Sequence, residues 1–130
     1  WGPVPDLATA WDIVRLANRA NGGIMLDVLH LMRCGGRDML AEVPGDRILA
    51  TQLCDGLLVR QGDCYADAAD RDWPGQGEFA VAALLHELRA NGCRAPLGVE
   101  VMGAATVGMT PEAVAWKAFQ ALDAVRKAGR

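Results

Sequence analysis

Three short apolar runs, at residues 24–28, 47–53 and 97–101, alternate with segments whose apolar residues recur at helical spacing, and this alternation constrains the fold more than any other feature. Each run has strand length and is bounded by turn chemistry. Asp6 is a predicted N-cap ahead of Leu7, Trp11, Val14 and Ala17, and Asn21-Gly22-Gly23 supplies a stop, so the first helix is expected over about 6–20. Gly35-Gly36 leads to a short helix near 37–42, which Pro44-Gly45-Asp46 ends. Val81, Leu84, Leu85 and Leu88 make an i, i+3, i+4, i+7 stripe closed by Asn91-Gly92. Thr110, Pro111 and Glu112 supply N-cap, N1 proline and an acidic first turn for a last helix reaching about residue 128. Strands connected through helices run parallel, so the expected class is α/β. A closed (β/α)8 barrel takes about 250 residues. The 130 residues and three strands of this chain therefore predict an open three-stranded layer or a piece of a barrel.

Charge and composition narrow the function classes. With 13 Lys and Arg against 16 Asp and Glu, a net charge of −3 gives no basic footprint, and no nucleic-acid partner is expected. The longest uncharged stretch, 101–111, is broken by Gly103 and Gly108 and falls short of the ~20 apolar residues that cross a bilayer, so no membrane partner is expected. Cys34, Cys54, Cys64 and Cys93 show no C-x-x-C spacing, which predicts reduced thiols and a cytoplasmic setting. The chain opens on Trp1 with no signal-peptide pattern, and it is expected to begin in mid-protein.

Ligands of α/β folds gather at the C-terminal ends of parallel strands. Asp27, Gln52 and Glu100 occupy those positions on three successive strands, and His30 follows Asp27 by three residues. Three oxygen donors from neighbouring strand ends suit one hard divalent cation rather than a thiolate zinc site. Each residue also has a plainer reading: Asp27 as a cap, Gln52 as a strand-end amide, His30 as a packing residue. Glu100 is harder to explain that way, because strand alternation sends it to the face opposite Val99 and Val101, and an interior carboxylate needs a partner.

The segment 55–77 reads as a long polar loop carrying Arg60, Tyr65, Arg71 and Trp73, of a length common in lids and binding segments. Gly75 and Gly77 lack the context of a phosphate-binding loop and read equally as a turn launching the next helix. Trp116 and Phe119 are expected to pack against neighbouring helices.

Four motifs in order, Leu26-Asp27-Val28-Leu29-His30, Asp46-Arg47-Ile48 leading to Gln52-Leu53-Cys54-Asp55-Gly56, Trp73-Pro74-Gly75-Gln76-Gly77-Glu78-Phe79, and Leu97-Gly98-Val99-Glu100-Val101, resemble the sugar phosphate isomerase/epimerase family with its xylose isomerase-like TIM barrel. The resemblance covers nearly the whole chain. It implies a partial (β/α)8 TIM barrel, the last three parallel strands with four helices, and makes residues 1–130 the C-terminal portion of one barrel domain. It implies metal ligation by Asp27, Gln52 and Glu100, with Gln52 standing where His is commoner. A further acid on strand five would precede Trp1, since residues 1–7 look like the segment that follows it. The implied cofactor is a divalent metal ion, Mn or Mg first, with Co or Zn as alternatives. His30 would hydrogen-bond a substrate oxygen, and Arg60, with Arg71 as second choice, would hold a further hydroxyl or acid group. The three-zinc DNA-repair members of the family need more histidines than His30 and His86.

The function so implied is an isomerase or epimerase of a small sugar or keto-polyol, with proton transfer through an enediolate and Glu100 as one of two acid–base groups. One alternative is a dehydratase of a cyclic polyol ketone or dehydroshikimate-like acid. Another is a non-catalytic half-barrel module that self-associates through open strand edges as a homo-oligomer. With one carboxylate of the relay present, this stretch alone is expected to show little or no turnover.

Overall fold

The computed structural model describes residues 3–60 and 62–129. Trp1 and Gly2, which open the stretch compared above with the segment after strand five, lie outside the described residues. The elements run α1 (Leu7–Ala17), β1 (Ile24–Asp27), α2 (Val28–Arg33), β2 (Ile48–Leu53), α3 (Cys64–Ala69), α4 (Val81–Ala90), β3 (Leu97–Val99) and α5 (Pro111–Ala128). The three strands form one parallel sheet in the order β1-β2-β3. This is the α/β arrangement of a partial TIM barrel.

The caps are those the sequence advertises. Asp6 accepts a hydrogen bond from the Thr9 amide at 2.8 Å to start α1, and Thr110 accepts one from Ala113 to start α5. Asn18, earlier than the expected Asn-Gly-Gly stop, takes the left-handed conformation (φ 46°) and ends α1. The segment near 37–42 is a 3₁₀ turn, Gly36–Glu42.

Two short helices go beyond the four expected. α2 begins directly at the end of β1, because the Asp27 carboxylate accepts the Leu29 and His30 amides and turns an apolar run that reads as strand into helix. α3 interrupts the long polar loop, capped by Asp63. That loop is tied down at both ends of its length. Asp55 and Asp72 form an antiparallel bridge. Deeper in, the buried Asp67 carboxylate pairs with Arg33 at 2.8 Å, while Arg33 also donates to the Leu57 and Leu58 carbonyls and stacks 5.4 Å above the Phe79 ring.

One face of the sheet is core. Ile24, Leu26, Ile48 and Leu53 meet Val28, Leu29 and Leu31 of α2, Val81, Leu84, Leu85 and Leu88 of α4, and Val125 of α5. Past the register shift that follows the Ile24–Ile48 pair, strand alternation sends Met25, Asp27, Ala50, Gln52 and Gly98 to the face opposite Leu26 and Leu53. Trp116 and Phe119 depart from expectation: both are exposed, off the Ala121/Val125 stripe of α5, and stack on each other at 5.6 Å. No helix among the described residues is long and apolar enough to cross a membrane.

Candidate metal centre

Register brings the polar strand ends together. Asp27 pairs with Gln52, and Gln52 with Gly98, so the three lie in one row on the non-core face. Glu100 continues the alternation from Gly98, and its amide still donates to the Leu53 carbonyl at 2.9 Å, which extends the ladder just past β3. The Gln52 amide nitrogen donates to Glu100 Oε1 at 3.1 Å.

A fourth side chain joins them from the far end of the 55–77 loop. The Arg71 guanidinium, only 5% exposed, donates from Nη1 and Nη2 to Asp27 Oδ2 at 3.0 Å. Its Nη1 also stands 3.0 Å from Glu100 Oε2, an ion-pair distance without hydrogen-bond alignment, so this buried oxygen has no hydrogen-bond partner. Arg71 Nε is anchored on the Ala68 carbonyl at 2.9 Å. Burial pushes the Glu100 carboxyl above the usual carboxylate range; the Arg71 charge opposes this and the Asp27 charge reinforces it. The buried Cys54 thiol lies 3.7 Å from Arg71 Nη1 and is pushed up to about 11, chiefly by burial.

His30 Nε2 lies 3.7 Å from Asp27 Oδ2, half-exposed at the rim. A cleft of about 430 Å³ passes Met25, Asp27, His30 and Cys34. Arg60 is elsewhere: it is exposed and directs Nη1 to Cys64 Sγ at 3.6 Å, without a hydrogen bond or ion pair to Asp27, Gln52 or Glu100. Of the two arginines considered for a substrate group, the structure thus places Arg71 beside Asp27 and Glu100 and Arg60 away from them. The two differ by the Asp55–Asp72 bridge, which folds the end of the loop back over the strand ends and leaves its start outside.

The profile of the xylose isomerase-like TIM barrel family matches residues 1–125. The chain belongs to that family. It is 37% identical over 103 residues to a 3-dehydroshikimate dehydratase of Pseudomonas aeruginosa, covering 78% of this chain and 16% of that protein. It is 31% identical over 93 residues to an inosose isomerase of Bacillus subtilis, covering 71% of this chain and 33% of that protein. The chain thus spans a third or less of these curated relatives. Among solved structures, a xylose isomerase-like TIM barrel/4-hydroxyphenylpyruvate dioxygenase fusion protein superposes with TM-score 0.87 at 27% identity, over 100% of this chain and 21% of that one. The IolI protein, solved with a bound zinc atom, superposes with TM-score 0.80 at 26% identity, over 94% of this chain and 44% of that one.

The donor chemistry of this family member fits a divalent ion. Two carboxylates and an amide oxygen lie on adjacent strand ends, and one carboxylate oxygen, Glu100 Oε2, is buried without a hydrogen bond. Among the described residues no group of three or more His, Cys, Asp or Glu side chains is placed to hold a metal ion.

Proposed function

We propose that this chain contributes to the site of a divalent-metal-dependent enzyme that removes a proton beside a carbonyl, and that its substrate is a small cyclic keto-acid which then loses water. The observation that carries the acid is Arg71: once freed from Asp27 and Glu100, this buried guanidinium presents a fork of donors that matches a substrate carboxylate. The similarity to 3-dehydroshikimate dehydratases supports the same substrate class.

Asp27, Gln52 and Glu100 would hold the ion, Mn or Mg by the preference of oxygen donors, and when bound it would polarise the substrate carbonyl. Glu100 Oε2 takes the proton from the carbon next to the carbonyl; its raised affinity for protons suits it to the role. Arg71 holds the acid group, which fixes the ring so that the reacting C–H faces Glu100. His30, at the rim beside Asp27, donates a proton to the departing hydroxyl, so that the bond to oxygen breaks as water leaves.

The test is incubation of Mn²⁺ and 3-dehydroshikimate with this chain in the context of a complete barrel, since the stretch alone is expected to show little or no turnover, followed by mass spectrometry and ultraviolet absorbance. A product one water lighter, with a new conjugated chromophore, abolished by Glu100→Gln and formed about a hundredfold less efficiently by Arg71→Ala, is the expected result. An isomer of unchanged mass formed from inosose, together with no water loss from the keto-acid, would overturn the dehydratase reading in favour of the isomerase one, which the similarity to inosose isomerase supports.

A further inference from the structure

Asp27 has no lone pair to spare. A carboxylate presents about four acceptor positions. Oδ1 already accepts the Leu29 amide at 2.9 Å, the His30 amide at 3.3 Å and Arg71 Nη1 at 3.1 Å. Oδ2 accepts Arg71 Nη1 and Nη2, each at 3.0 Å. The same guanidinium stands 3.0 Å from Glu100 Oε2, so one arginine bridges the two carboxylates proposed above as ligands. Gln52 likewise turns the amide nitrogen, the end that repels a cation, toward Glu100 Oε1.

We propose that Arg71 is a tethered cation that competes with the divalent ion for Asp27 and Glu100, so that loading the ion and freeing the guanidinium are one coupled event. The proposal rests on the metal site above. Two guanidinium N–H groups already fill Asp27 Oδ2, so an ion reaches that oxygen only as one of them leaves, and the guanidinium, charged at every accessible pH, cannot yield by losing a proton. What it can do is swing. Its link to the loop is the Nε bond to the Ala68 carbonyl at the last turn of α3, which contacts neither carboxylate. A guanidinium released in this way is a buried charge without its partners, a costly state until an anion arrives. The acid group of the substrate then binds more tightly once the ion is in place, and by reciprocity the ion binds more tightly when the acid is present. Cooperative binding of the ion and the acid follows from the position of one side chain.

The experiment is a titration with Mn²⁺ alone, with the free ion followed by electron paramagnetic resonance, on the wild-type protein, Arg71→Met and Arg71→Lys. Arg71→Met is expected to bind Mn²⁺ about tenfold more tightly than wild type, the equivalent of one charge-assisted contact that no longer has to be broken, with Arg71→Lys between them. Equal or weaker binding by a variant with native circular dichroism overturns the competition while leaving the metal site standing. No Mn²⁺ binding by any of the three proteins overturns the metal site and the competition together. A second readout covers a variant that fails to fold: phenylglyoxal labelling of wild-type Arg71, followed on its peptide by mass spectrometry. Labelling is expected to quicken several-fold on adding Mn²⁺, and unchanged or slower labelling overturns the proposal.

Discussion

Asp55 is the residue whose replacement the fold should tolerate least. Its carboxylate is 1% exposed and accepts three backbone amides at 2.9 Å: Gly56 and Phe79 on Oδ1, and Gly75 on Oδ2. Together these close the 73–79 turn onto the end of β2 and hold Phe79 under Arg33. Asp55→Asn conserves the shape but leaves one oxygen. If it stays at Oδ1, the new amide group faces the Gly75 amide, donor against donor, which strands a buried N–H at about 1–3 kcal/mol. The two bonds that survive change from charge-assisted to neutral, which weakens them by roughly 1 kcal/mol each. The sum is about 4 kcal/mol, a large share of the 5–15 kcal/mol typical of a domain. For a chain of this size it corresponds to a fall in Tm of about 15 °C. Asp55→Ala, with all three amides unpaired, should cost more. Urea unfolding followed by circular dichroism measures both, with Asp72→Asn as an exposed control expected within about 0.5 kcal/mol of wild type. A loss below 1 kcal/mol for Asp55→Asn would refute the reasoning that this carboxylate organises the turn.

Gly77→Ala should act on the same turn: a Cβ there meets the Gly56 backbone nitrogen and stands 2.5 Å from Asp55 Oδ1, and a denaturation curve should show a loss of about 2–3 kcal/mol. Asp6 is held below its ordinary value, chiefly by the Thr9 backbone N–H, so it favours the folded state while ionised; that contribution is fully present above the ordinary carboxylate range and lost as pH falls through the lowered value. Asp6→Ala should therefore flatten the acid limb of a stability–pH profile, and an unchanged limb would count against the cap. Among the thiols, exposed Cys34 should react promptly with a maleimide in native protein, while buried Cys54 and Cys93 react only after unfolding, as peptide mapping would record. Arg60→Ala should leave turnover of the keto-acid within about twofold, whereas Arg71→Ala should raise KM and lower kcat/KM by about a hundredfold, the scale of losing a paired charge at a binding site. Equal effects of the two replacements would remove Arg71 from the acid-binding role.

What the sequence by itself determined was whatever is decided within about one turn of chain. Asp6, Thr110 and Pro111 mark helix starts because their contacts reach only three residues ahead, and the Leu84, Leu85, Leu88 stripe is legible because helical spacing repeats locally. The same short period put Asp27, Gln52 and Glu100 at strand ends, and the structure gathers those three on one face. The Asp27 cap of α2 was nearly visible, yet its apolar continuation reads as strand until the side chain is seen taking two amides. Only the tertiary structure could put Arg71 rather than Arg60 beside Asp27, since that ion pair spans 44 residues and depends on a loop folding back through the Asp55–Asp72 bridge. It alone, too, made Asp55 a buried hub, with partners 20 and 24 residues away. Trp116 and Phe119 make the same point from the other side, for large aromatic residues on an amphipathic helix read as core until the packing of α5 turns them outward. Periodicity and capping are short-range chemistry written in neighbouring letters. The meeting of distant charges is set by which chain closure the whole core makes cheapest, and no window of sequence contains that comparison.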